Sequence, residues 1–144
     1  MSTFDKENQH KFIRIAEQLK KGLPPGEGEE AMIAYILSQH SEFEQVWELG
    51  EMSATPQEIN GQIVNPFVHT ALHLAMEKQI EKNDPTEVVE AVNKLLKKGM
   101  ERHEVIHQLG GVYANIYFSN FRKGQMFEEF SYIETIKEMT RDVQ

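Results

Sequence analysis

The sequence predicts an all-α fold: a compact bundle of six or seven helices forming a single helical domain over residues 1–144. Three observations predict it. Apolar residues recur with a rough 3.6-residue period in successive segments, the spacing that lines one face of a helix. Those segments are punctuated by helix-start and helix-stop chemistry: Thr55, Asn65 and Asp84 are each followed by proline, and Gly22 and Gly99 follow periodic stretches. No segment alternates with period two beside hairpin-type turn residues, so no strand is expected. At 144 residues and 40% hydrophobic, the chain is long enough to bury one core.

Helix one is expected from Phe4 to Lys21, with Phe12, Ile13, Ile15, Ala16 and Leu19 on its apolar face and Gly22 stopping it. The turn-rich run Leu23 to Gly28 connects it to a strongly apolar helix containing Ala31, Met32, Ala34, Tyr35, Ile36 and Leu37, which ends near His40. Ser41 and Glu44 have the spacing of a capping box and open a short helix through Phe43, Val46, Trp47 and Leu49 to Gly50. Thr55 with Glu58, and Asp84 with Glu87, repeat that spacing, while Asn65 and Pro66 open a helix that reaches Lys82. Pro85 to Lys98 is then closed by Gly99, and a longer helix runs from Met100 to about Lys123. A last helix, Phe127 to Arg141, places Phe127, Phe130, Ile133, Ile136 and Met139 at spacings of three.

Composition removes several classes of function. There is no cysteine, so disulfides, thiolate metal sites, iron–sulfur clusters and cysteine nucleophiles are excluded, and any metal must be held by histidine and carboxylate. The net charge is −8 and the 15 basic residues are scattered, which argues against nucleic acid as a partner. Lys94, Lys97 and Lys98 cluster only at a helix end, where cations suit the helix dipole. The opening MSTFDKENQH is polar, and no stretch reaches the apolar length of a membrane span. A soluble cytoplasmic protein with no membrane partner is expected. No Gly-rich phosphate loop, nucleophile elbow or glycosidase-type carboxylate pair is present.

The informative residues are histidines. His69/His73 and His103/His107 form two pairs at i,i+4 spacing on separate helices, and residues four apart share a helix face. Six histidines placed at random would give roughly 0.2 such pairs. Neutral imidazoles bind zinc, nickel, copper and iron well, and rigid helices hold them at little ordering cost. The pairs therefore predict a transition-metal cofactor, zinc, nickel or iron, held by His69, His73, His103 and His107. His40 and Glu104 are additional candidate ligands. Such a site needs neutral rings, so it is expected to release its ion as pH falls through the imidazole range. Gly110 and Gly111, just past the second pair, are costly in a helix and predict a close backbone approach or a local distortion.

Two other readings compete with that one. In the first, the histidines are a metal-free polar core, bonded to one another and to Glu44, Glu77 and Glu104, in a helical protein that binds a partner or forms a homo-oligomer. In the second, His103 to His107 read HEVIH, the HExxH pattern of zinc peptidases, with Glu104 as the candidate catalytic base. Tyr113 stands where the extended pattern has a third histidine, and no strand is expected to hold an extended substrate. Whether the protein is an enzyme stays open. His40 could complete a ligand set or cap the preceding helix, and His10 reads as solvated. Phe43, Trp47, Phe67, Tyr113, Tyr117 and Phe118 read as core residues.

The segment NPFVHTALHLAMEKQ, preceded by a helix ending in His40 and followed by the second H-x-x-x-H helix, resembles the bacterial domain of unknown function 1841 family. Asn65-Pro66-Phe67, His69, Leu72-His73-Leu74-Ala75 and Gln79 carry the resemblance, with His40, His103 and His107 in the corresponding order. Where the family has an Arg-Glu pair, this chain has Glu77-Lys78, so no family role passes to Glu77. The resemblance implies a compact helical bacterial protein with a histidine-rich centre and brings no activity with it.

Overall fold

Helix boundaries in the computed structural model, which describes residues 3–143, follow the local chemistry of the chain. Among the described residues six α-helices form: α1 Lys6–Lys20, α2 Glu29–Ser38, α3 Pro66–Lys82, α4 Thr86–Lys97, α5 Arg102–Arg122 and α6 Glu129–Met139. Two 3-10 stretches, Ser41–Phe43 and Val46–Ala54, follow α2, and a small hairpin pairs β1 Gln57–Ile59 with β2 Gln62–Val64. The all-α class is therefore as predicted. The chain divides into two compact units, Met1–Leu74 and Ala75–Gln144, with the division inside α3.

In the first unit, the Asp5 side chain accepts the Asn8 backbone N–H at 3.0 Å to start α1. Gly22, at φ +75°, ends the helix: its N–H goes to Leu19 O and that of Leu23 to Gln18 O, the paired bonds of a Schellman closure. The inner faces of α1 and α2 bury Phe12, Ile15, Ile33 and Ile36 with Phe43, Trp47 and Phe67. Phe12 meets Trp47 edge-on at 6.1 Å and Phe67 at 5.6 Å between ring centroids. Buried Gln9 donates to the Glu51 carbonyl at 3.0 Å, tying the Val46–Ala54 stretch to α1.

Three expectations fail in this unit: the Ser41–Glu44 box, a helix from Thr55, and the absence of strands. The Ser41–Glu44 capping box does not form, because the Glu44 N–H goes to the Ser41 carbonyl in a 3-10 turn, and Gly50 at φ +60° breaks the stretch that follows. No helix starts at Thr55-Pro56. The Thr55 hydroxyl donates to Met52 O, and Gln57 to Val64 form the hairpin instead. Its turn is Asn60-Gly61, with φ +52° and +82°, the pair of left-handed positions that a two-residue hairpin loop requires.

In the second unit, α4, α5 and α6 bury Val88, Val92, Leu95, Val105, Ile106, Leu109 and Ile136 around Met76 and Tyr132. The Tyr132 hydroxyl donates to Gln79 Oε1 at 2.6 Å. Asn83, Gly99 and Gly124, all at positive φ, close α3, α4 and α5 with the same paired bonds as Gly22. The Asn120 side chain accepts the Glu128 N–H at 2.9 Å, fastening the loop before α6. Asp84 is not the cap of α4. That position falls to extended Pro85, whose carbonyl accepts the Val88 N–H, so the helix starts at Thr86. α5 runs unbroken through Gly110 and Gly111, and a Cβ at Gly111 would meet nothing within 4 Å.

Candidate metal centre

Three imidazoles come together in the first unit. His40 ends α2, and its Nδ1 lies 2.8 Å from the Ile36 carbonyl one turn back. A carbonyl only accepts, so Nδ1 carries the hydrogen, and in the neutral ring Nε2 keeps its lone pair. That Nε2 lies 3.2 Å from His69 Nε2. His73, one turn further along α3, brings its ring centroid within 4.5 Å of His40 and 4.9 Å of His69. His40 and His73 are buried, and Phe43 stacks on His40 at 5.4 Å while meeting His69 edge-on. The start of α3 is fixed as the sequence predicts: Asn65 Oδ1 accepts the Val68 N–H, and Asn65 Nδ2 donates to Ala54 O.

The 3.2 Å separation has a definite chemical reading. Two imidazole nitrogens on a tetrahedral ion, each about 2.0–2.1 Å from it, sit about 3.3 Å apart. The His40–His69 spacing therefore suits two ligands of one ion as well as it suits a hydrogen bond. The Ile36 carbonyl holds His40 as an outer-sphere carbonyl holds a metal-bound histidine, by accepting the N–H of the nitrogen that does not ligate.

The second unit carries the other pair. His103 and His107 occupy the first two turns of α5, half-buried, with ring centroids 4.3 Å apart. Arg102 immediately before them grips Glu77 of α3 through both guanidinium nitrogens at 2.6 Å. The carboxylates considered as histidine partners are placed otherwise. Glu44 and Glu104 are exposed, Glu104 accepting from Gln108 Nε2 at 3.4 Å, and Glu77 is the partner of Arg102. His10 is exposed. Tyr113 packs against Phe127 and Tyr132 in the second unit's aromatic cluster, and Phe43, Trp47 and Phe67 lie in the first unit's core. A groove of about 860 Å³ opens over Ile13, Leu19, Leu37 and Trp47 in the first unit, and none of the histidines lines it.

Of two features of the histidine surroundings, sequence reasoning offers the first as one of its readings of His40, a cap on the preceding helix, and misses the second. The Ile36–His40 contact is an i,i+4 relation across the end of α2, visible in the numbering once α2 is known to end just before His40. The Arg102–Glu77 grip is tertiary and leaves only a weak trace, a cation at the first position of a helix.

The fold and the clustered imidazoles define the class, an all-α protein with a buried histidine cluster. The chain belongs to the family described as Domain of unknown function (DUF1841), which it matches over residues 5–138, as its NPFxHxxLHLA segment anticipates. No curated protein and no solved structure matches the chain significantly. Among the described residues, no helix is long and apolar enough to cross a membrane.

Proposed function

We propose that this chain binds a transition-metal ion through histidine. The candidate nitrogen donors are His40, His69 and His73 in the first unit, and His103 and His107 in the second. The observation that carries the reading is the His40–His69–His73 cluster. Its rings lie 4.5–4.9 Å apart, and the carbonyl that takes the His40 Nδ1 hydrogen leaves Nε2 for a ligand. Neutral imidazoles suit zinc, nickel, copper and iron, whereas magnesium and calcium take oxygen donors. Zinc, nickel and ferrous iron are the ions to try.

The test is metal content. Tag-free protein is incubated with excess zinc, nickel or ferrous iron, desalted and analysed by mass spectrometry of the elements. About one ion per chain is expected for at least one metal, with less metal retained in a His73→Ala variant that keeps its far-ultraviolet dichroism. Wild-type protein that retains no stoichiometric metal refutes the reading.

A second reading is favoured by one observation. The His40 Nε2–His69 Nε2 distance of 3.2 Å and the bond to Ile36 satisfy these ring nitrogens within the protein. The cluster is then a structural polar core in a helical protein that acts through a partner or as an oligomer. Unchanged metal content with a lower melting temperature in His73→Ala identifies that case.

A further inference from the structure

Arg102 occupies the first position of α5, where the positive end of the helix dipole disfavours a cation. Glu77 lies within α3 with its side chain only 11% exposed, where an unpaired carboxylate would be costly. Each side chain answers the other's electrostatic cost. The grip is bidentate, with both contacts at 2.6 Å, and so fixes orientation as well as distance. Glu77 also continues the α3 stripe on which His69 and His73 lie, at the same interval of four, and Arg102 directly precedes His103.

We infer that the Arg102–Glu77 pair positions the start of α5, which carries His103 and His107, against the second-unit end of α3, and that it governs metal binding by those two histidines without being a ligand. This rests on the metal reading above. Outer-sphere partners of this kind are worth about 10- to 100-fold in metal affinity. Arginine suits this role better than lysine, which cannot reproduce the two parallel bonds.

Zinc affinity is measured by chelator competition for wild type, Arg102→Met, Glu77→Gln, Arg102→Lys and the reversed pair Glu77→Arg with Arg102→Glu. The expected result is a loss of about 10- to 100-fold in both single removals with stoichiometry retained, and intermediate affinity in Arg102→Lys. The reversed pair should recover most of the loss, since it also puts a carboxylate at the start of α5. The visible spectrum of the cobalt-substituted protein should change in Arg102→Met, a signature that lower fold stability alone does not produce. Wild-type affinity in both single variants overturns the inference and leaves the metal reading standing. No zinc binding by wild type overturns both.

Discussion

The two groups of imidazoles are built by opposite means. In the first unit, His40 comes from the end of α2 and meets His69 and His73 of α3 across 29 residues of chain. Burial, a backbone carbonyl and the Phe43 ring fix this trio. In the second unit, His103 and His107 come from consecutive turns of one helix and remain half-buried. Their spacing is set by the helix, and their helix is set by an ion pair at its first residue. The trio is thus a packing problem and the pair an anchoring problem, and substitutions should hurt the two in different currencies.

His73→Ala gives the largest expected effect. The ring is 4% exposed within the first unit's cluster, and deleting a buried ring of this size costs about 2–4 kcal/mol in metal-free protein. His107→Ala removes a half-buried ring and should cost less than about 1 kcal/mol. Denaturant titration in excess chelator measures both. Equal losses would break the distinction between packed trio and anchored pair.

That contrast also explains how far the sequence could be read. Both i,i+4 pairs were visible because helical spacing is a local property, and so were the Asn65 cap and the closures at Gly22 and Gly99. The meeting of His40 with His69 is tertiary, and nothing in the spacing required it. The Asn60-Gly61 turn was legible in principle. Thr55-Pro56 with Glu58 competes with it by fitting a capping box, and three-residue strands are too short to display alternation. Asp84-Pro85 with Glu87 has the same spacing, but there the proline is extended and takes the cap position itself. Asn83 closes α3 as a glycine would, a substitution that backbone sterics permit to asparagine more readily than to most residues.

The starts of the two histidine helices sharpen the comparison further. Asn65 caps α3 through its side chain and also holds Ala54, whereas Glu101 at the start of α5 makes no side-chain cap bond. Asn65→Ala should therefore cost about 1–2 kcal/mol, and Glu101→Ala about 0.5 kcal/mol or less. Thermal unfolding of the two variants tests this, and a larger effect at Glu101 would show that α5 is also fixed through its cap.

Tyr132 provides a pH test confined to the second unit. Burial, reinforced by nearby Tyr113, raises its pKa well above the ordinary tyrosine value. A raised folded pKa leaves stability intact below the unfolded value near 10 and drains it as pH rises beyond that, because the unfolded chain ionises first. Tyr132→Phe should lose about 1 kcal/mol at pH 8 with the Gln79 bond, and its stability should fall less steeply above pH 10. Parallel slopes for wild type and variant would remove Tyr132 as a source of alkaline sensitivity.

The smallest effect is a gain. Gly110 and Gly111 lie in α5 just after the half-buried pair, and the helix passes through them without the distortion that two glycines predict. The two glycines differ: Gly110 is buried, while Gly111 is exposed in regular helix with open space where a Cβ would stand. At Gly111, glycine therefore costs backbone entropy with no steric return, and Gly111→Ala should stabilise the protein by about 0.5–1 kcal/mol. If anchoring at Arg102 is what places the pair, stiffening α5 two turns downstream should leave zinc affinity unchanged while raising the denaturation midpoint. A fall in affinity would mean that the helix must bend at Gly111 for His103 and His107 to engage, moving control of the pair from its first turn to its glycines.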